Sequence, residues 1–338
     1  MADLSILMAE KDVLLADGAT GTNLFDMGLT SGDAPEMWLE LYPDRIKALH
    51  RSFVESGSDI VLTNTFGCNA RRLMLHDMQD QVFKLNKLAA ELCREETEKA
   101  DRPIVVAGSV GPTGDLLAPL GELTEAEAKD VFVEQMEGLK AGGADVAWIE
   151  TMSAGDEMRA AAEAAAHVGM DYVITASFDT AGRTMMGITP EAFVELLASF
   201  DPKPLAVGAN CGVGASDLVA SVLGMTAPKH DLPFWVVAKA NCGIPVIQGE
   251  NVVYNGSPEL MADYADLAVN SGAKIIGGCC GSSPKHVKAM RDALDAHQAG
   301  ERPSVEEVAA KIGELISPPA DPSAQEGRGE RRSRRRRG

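Results

Sequence analysis

Short apolar runs rich in β-branched residues recur along the chain: VLLADG from Val13, DIVLTNT from Asp59, PIVVAGS from Pro103, VAWIET from Val146, VITASF from Val173, LAVGANC from Leu205, FWVVAKAN from Phe234 and KIIGGCC from Lys274. Each reads as a strand. The gaps carry amphipathic helical spacing, as in PDRIKALHRSFVES, TEAEAKDVFVEQMEGLKAG, SPELMADYADLAVNSG and SPKHVKAMRDALDAH. Eight strands alternating with eight helices in about 300 residues predict an α/β fold of the (β/α)8 TIM-barrel type. A doubly wound open sheet is the alternative, but the count of eight continuous units favours the barrel. In a barrel the active site lies where the strands end and the βα loops begin. Asp17, Asn64, Ser109, Glu150, Cys211, Asn241, Cys279 and Cys280 each fall at or just past the end of a predicted strand.

Beyond Ile316 the sequence SPPADPSAQEGRGERRSRRRRG has no apolar periodicity. The expected organisation is therefore one barrel domain over 1–316 and a disordered basic tail over 317–338. From Arg328 onward the tail holds seven Arg and one Glu, which leaves 24 basic against 49 acidic residues in the remainder. So acidic a body argues against a nucleic-acid surface on the barrel, and only the tail offers phosphate-binding charge. No stretch approaches the roughly 20 apolar residues that span a bilayer, and no basic N-terminal segment precedes an apolar run with a cleavage site. A cytoplasmic protein without membrane partners is expected.

Six cysteines in 338 residues do not resemble a secreted disulfide framework. Cys211 closes the sixth strand, and Cys279 with Cys280 closes the eighth, so three thiols converge on one rim of the barrel. Three ligands with a fourth position open describe a catalytic zinc site. Gly277, Gly278 and Gly281 give the backbone freedom to turn both adjacent thiols toward one ion. Two other readings stand beside it: buried cysteines packing as small apolar residues, and the glycine pair serving as a barrel phosphate loop, which leaves the thiols unexplained. Cys242, in AKANCGIP, is a competing ligand; Cys68 lies near the second strand's end, and Cys93 on a helix has a packing role. The six histidines show no HExxH spacing, and those on helices and loops are expected to face solvent.

Taken in order, DGATGTNL at Asp17, TNTFG at Thr63, GSVGPTG at Gly108, IETM at Ile149, GANCG at Gly208 and GGCCGSSPKH at Gly277 resemble the homocysteine S-methyltransferases. That family includes betaine-homocysteine methyltransferase, S-methylmethionine-dependent enzymes and the homocysteine module of cobalamin-dependent methionine synthase. The resemblance runs from about Val13 to about Leu294. It implies Zn2+ on Cys211, Cys279 and Cys280, with the homocysteine sulfur as fourth ligand and methionine as product. It further implies Asp17 and Glu150 as acceptors for the homocysteine ammonium, and the amides of Gly18 and Ala19 as donors to its carboxylate. Asn64 and Ser109 are assigned to the same pocket, where they order it or satisfy loop backbone groups.

The methyl donor is less constrained. Betaine recognition usually needs an aromatic cage, and aromatics make up 5% of the chain, with Trp38, Phe66, Phe178 and Tyr254 the candidates. FGCNARRL, after the second strand, resembles the methionine synthase module more than the betaine enzymes. A separate methyl-corrinoid protein or betaine is therefore the expected donor, with S-methylmethionine or another sulfonium as the alternative. Asp295, His297 and Gly300 match a corrinoid-type D-x-H-x-x-G, but they close the last barrel helix with too little chain beyond them for a corrinoid domain. A nucleic-acid-binding protein acting through the tail is the distant alternative.

Overall fold

The computed structural model describes residues 2–228, 230–248 and 251–318. The eight expected strands form β1 (Leu14–Leu15), β2 (Ile60–Leu62), β3 (Val105–Val110), β4 (Val146–Met152), β5 (Tyr172–Ala176), β6 (Ala206–Cys211), β7 (Trp235–Ala240) and β8 (Ile275–Gly278). They join in one parallel sheet ordered β1-β8-β7-β6-β5-β4-β3-β2, and a parallel bridge between Ala16 and Ile60 closes the ring. The helices of the eight units are α1 (Pro43–Glu55), α2 (Val82–Thr97), α3 (Glu125–Ala141), α4 (Gly155–Val168), α5 (Pro190–Ala198), α6 (Ala215–Met225), α7 (Pro258–Asn270) and α8 (Pro284–Ala296). The chain is thus a (β/α)8 barrel.

Strand alternation builds the barrel interior in layers. Leu14, Ile60, Val105, Val146, Val173, Val237 and Ile275 make one buried apolar cluster, together with Leu4 and Leu7 of the helix Leu4–Glu10. Four positions further along Val105 and Val146, and two along Val237, the same inward face presents Ser109, Glu150 and Lys239. A polar layer therefore lies on an apolar plug, on the side where the strands end. Carboxylates fix the opposite end of the strands. Asp59, just before β2, accepts the Leu15 amide at 2.9 Å, and Asp145, before β4, accepts that of Val106 at 2.8 Å.

Some elements have no counterpart in the periodic pattern. These are the helix Leu4–Glu10, the helix Val305–Ile312, and an antiparallel hairpin of Pro245–Gln248 with Asn251–Tyr254 between β7 and α7. At the expected domain boundary, the amides of Ile316 and Ser317 donate to Asp217 at 2.9 and 2.7 Å, and the Ser317 hydroxyl donates to the Asp179 carbonyl at 3.0 Å. Ser317 is therefore held against the barrel. The rest of the Arg-rich tail, from 319, lies outside the described residues. No helix among the described residues is long and apolar enough to cross a membrane.

His50 corrects the expectation of solvent-facing histidines. It shares the buried face of α1 with Ile46, Leu49 and Phe53, is 1% exposed, and neither ring nitrogen has a partner. Burial lowers its pKa from 6.5 to about 4, against a smaller opposing pull from Glu96. The folded pKa lies below the unfolded one, so the neutral ring supports the fold fully above pH 6.5 and that support is lost as pH falls through 4. About 2 kcal/mol of a total near ~3 kcal/mol is gone by pH 5. His50→Leu should therefore flatten the fall in urea midpoint between pH 7 and pH 5; an unchanged fall would assign the acid sensitivity elsewhere.

Candidate active site

Three thiols meet at the barrel mouth. The sulfurs of Cys211, Cys279 and Cys280 all lie within 4.8 Å of one another, half-buried, with Cys211 and Cys280 3.8 Å apart. Cys242, the competing ligand, is fully buried and outside this group; Cys68 and Cys93 are buried as well.

Local backbone conformation sets the convergence. Cys211 has φ of 62°, a left-handed geometry that costs a non-glycine residue of order 1 kcal/mol, and it turns the last residue of β6 out of the strand. On the facing side, the amide of Cys279 donates to the Ala240 carbonyl at 2.6 Å, and that of Cys242 to the Cys280 carbonyl at 2.9 Å. Gly281 then turns at φ 80°, where a Cβ would come within 2.3 Å of Tyr254 Cβ. No other residue fits there without moving the hairpin. Hydrogen bonding from Cys211 and Cys279 holds the Cys280 thiol well below its ordinary pKa, while hydrogen bonds to Cys279 and Cys280, and then burial, push Cys211 up. Cys211 and Cys280 are within hydrogen-bonding distance of each other, at 3.8 Å.

Beneath them lies the polar layer. Glu150 is 8% exposed, and its Oε1 accepts the Ser109 hydroxyl at 2.6 Å. Burial and the neighbouring Cys279 raise its pKa to about 7, with Lys239 and Ser109 opposing. Right after it, Thr151 adopts φ of 63° and the β4–β5 register shifts, an irregularity of the kind that re-aims side chains beside active sites. Asn210 holds that shape. Its Oδ1 accepts the Thr151 amide at 2.8 Å and the Thr175 hydroxyl at 2.7 Å, while its Nδ2 donates to Thr151 Oγ1 at 2.7 Å and points at the Cys279 sulfur, 3.9 Å away. Neither Asn210 nor Lys239 stood out in the sequence. Their inward position at the end of β6 and β7 was the available signal.

Residues 14–294 match the sequence pattern of a family described as homocysteine S-methyltransferase. The chain belongs to the homocysteine S-methyltransferase family. Its relatives include the methionine synthases of Mycobacterium leprae, 30% identical over 312 residues, and of Mycobacterium tuberculosis, 29% identical over 311. Each alignment covers 86% of this chain but 25% of the relative, so the chain spans about a quarter of those proteins' length. Among solved structures, the metallated form of the Escherichia coli homocysteine methyltransferase MmuM superposes with a TM-score of 0.72 at 24% identity, covering 86% of this chain and 99% of that one. Its oxidized form gives 0.69 at 25% identity, covering 86% and 98%.

Within this homocysteine S-methyltransferase barrel, most of the other expected contact residues have protein partners. The Ala19 amide donates to the Ser282 carbonyl at 3.0 Å. Gly18 keeps its amide without a protein acceptor among the described residues, and a Cβ there would sit 2.6 Å from the same Ser282 carbonyl. Asn64 donates its side-chain amide to the Pro35 carbonyl at 2.8 Å, which ties the loop after β2 to the segment around Pro35. Asp17, expected to receive an ammonium, is 1% exposed and already pairs with Lys239 at 2.6 Å and the Leu62 amide at 2.7 Å. Asn210→Ala would strand the Thr151 amide and the Thr175 hydroxyl, each a loss of order 1–3 kcal/mol if unpaired. Its denaturant midpoint should therefore fall by an amount equivalent to about 2 kcal/mol; a wild-type midpoint would show that Asn210 does not hold the site's shape.

Proposed function

We propose that the protein transfers a methyl group to the sulfur of homocysteine, forming methionine, with zinc held by Cys211, Cys279 and Cys280. The observation that carries this reading is the convergence of three sulfurs within 4.8 Å at the barrel mouth. Three soft thiolates, with no carboxylate or imidazole in the group, suit zinc rather than magnesium or calcium. Bound there, zinc supplies the Lewis acidity that keeps an acceptor thiol deprotonated near neutral pH, where a free thiol with a pKa of about 8.5 is mostly protonated. The protein's own residues then orient the acceptor. Glu150 offers its second carboxylate oxygen to the ammonium while Ser109 holds the first, and the Gly18 amide is placed to meet the carboxylate. A triad of reduced thiols also suits the reducing cytoplasm.

For the donor, a methyl-corrinoid protein is the first reading, supported by the methionine synthase relatives. Two of the aromatic candidates are engaged with protein groups: Arg45 stacks over Trp38 at 4.9 Å, and Phe178 packs edge-on against Phe193. A second reading rests on an open groove of about 270 Å³ above β3, β4 and β5. Leu116, Leu120, Met185 and Met186 line it with Asp115, Asp156, Glu157 and Asp179, and Thr151 joins it to the site. Apolar walls with carboxylates suit a small methylated cation such as betaine or S-methylmethionine. The barrel over 1–316 serves as the catalytic unit, and the basic segment as an appendage.

Replacing Cys211, Cys279 or Cys280 by Ala should abolish zinc binding and methionine formation together; an active, zinc-replete variant would sink the assignment. Glu150→Gln should weaken homocysteine binding about 10- to 100-fold, the size of one charge-assisted hydrogen bond, with zinc content unchanged. A donor panel of methyl-corrinoid protein, methylcobalamin, betaine and S-methylmethionine, each with homocysteine, separates the two donor readings by which one yields methionine.

A further inference from the structure

One buried charge has no role in the proposed reaction. Lys239 lies on the inward face of β7, 2% exposed, with Nζ 2.6 Å from Asp17 Oδ1 and 3.3 Å from the Asp17 carbonyl. Burial opposes a lysine charge, but the Asp17 carboxylate at 2.6 Å, with Glu150 nearby, outweighs it and holds the Lys239 pKa above its ordinary value. The remaining Asp17 oxygen takes the Leu62 amide at 2.7 Å. Asp17 thus has a cation supplied by the protein and is closed off from solvent. A substrate ammonium could reach it only by displacing Lys239, which would leave a buried, uncompensated lysine charge.

Glu150 stands in contrast. Ser109 occupies Oε1, and Oε2 has no hydrogen-bond partner among the described residues. The polar layer therefore contains one satisfied carboxylate and one half-free carboxylate, and the difference between them is Lys239.

We propose that Lys239 is a specificity-determining residue: by occupying Asp17 it leaves Glu150 as the single carboxylate that reads the α-ammonium of the acceptor thiol. The inference rests on the homocysteine reading and narrows it. An acceptor site with two open carboxylates would reject a thiol that lacks the ammonium much more strongly than a site with one. This protein accordingly tolerates ω-mercaptocarboxylates, the desamino counterparts of homocysteine, with a loss of only about 10- to 100-fold.

The test compares dissociation constants of homocysteine and 4-mercaptobutyrate for the zinc-loaded protein by calorimetry, with no donor present. Lys239→Met frees Asp17 for the ammonium and should widen the preference for homocysteine by about 10-fold or more. The double variant Asp17→Asn with Lys239→Met removes the ion pair as a unit, so it avoids a stranded charge, and should keep the wild-type preference within about 3-fold. An unchanged preference in Lys239→Met would overturn the proposal. If that variant does not fold, a double variant whose preference collapses by about 10-fold would overturn it instead, because Asp17 would then be reading the ammonium despite Lys239. Failure of wild-type protein to bind homocysteine at all would remove the underlying reading and the inference with it. Binding with an unmoved ratio removes the inference alone.

Discussion

Three sulfurs within 4.8 Å, in a mouth already holding Asp17 and Glu150, form the constraint on which the rest of this site depends. Ionised together they repel, and left protonated they waste the geometry; a divalent cation resolves both. The surrounding devices serve that convergence. Cys211 tolerates a left-handed backbone, Gly281 turns where any side chain would strike Tyr254, and Asn210 fixes the kink after Glu150 while aiming its amide at Cys279. Lys239 offsets one of the two carboxylates below, which limits the negative charge gathered on this end of the barrel.

Strand periodicity explains why the polar groups arrive together. The inward face of β3, β4 and β7 is apolar near its start, so Val105, Val146 and Val237 fill the interior, and polar near its end, where Ser109, Glu150 and Lys239 follow in the same register. A one-residue slip in any strand would turn these groups outward into the helix layer. The apolar plug is therefore also the device that aims the chemistry.

Much of this was legible in the chain. The eight strands stood out as β-branched runs and the helices by their spacing, and the cysteine trio was readable because all three thiols fall at strand ends. Pairings between distant positions were not. Lys239 and Asp17 are 222 residues apart, and AKAN reads as ordinary strand until the ring closes. The same applies to Ala19, whose amide meets the Ser282 carbonyl from the opposite end of the barrel sequence. His50 was readable in principle: it sits four residues after Ile46 and three before Phe53, on the apolar stripe of its helix, where a polar residue is a departure from the pattern. The hairpin between β7 and α7 is too short for periodicity to reveal, although it brings Tyr254 against Gly281 beside the site.

The acceptor half of the proposed reaction rests on buried, specific contacts, whereas the donor half rests on the methionine synthase relatives for a methyl-corrinoid protein and on the open groove for a small methylated cation. The central claim is the sulfur-only metal site, and X-ray absorption at the zinc edge of the metal-loaded protein tests it most directly. The account predicts three sulfur neighbours and one lighter atom without substrate, and four sulfurs once homocysteine is added. Fewer than three sulfurs at rest, or a spectrum indifferent to homocysteine, would contradict it.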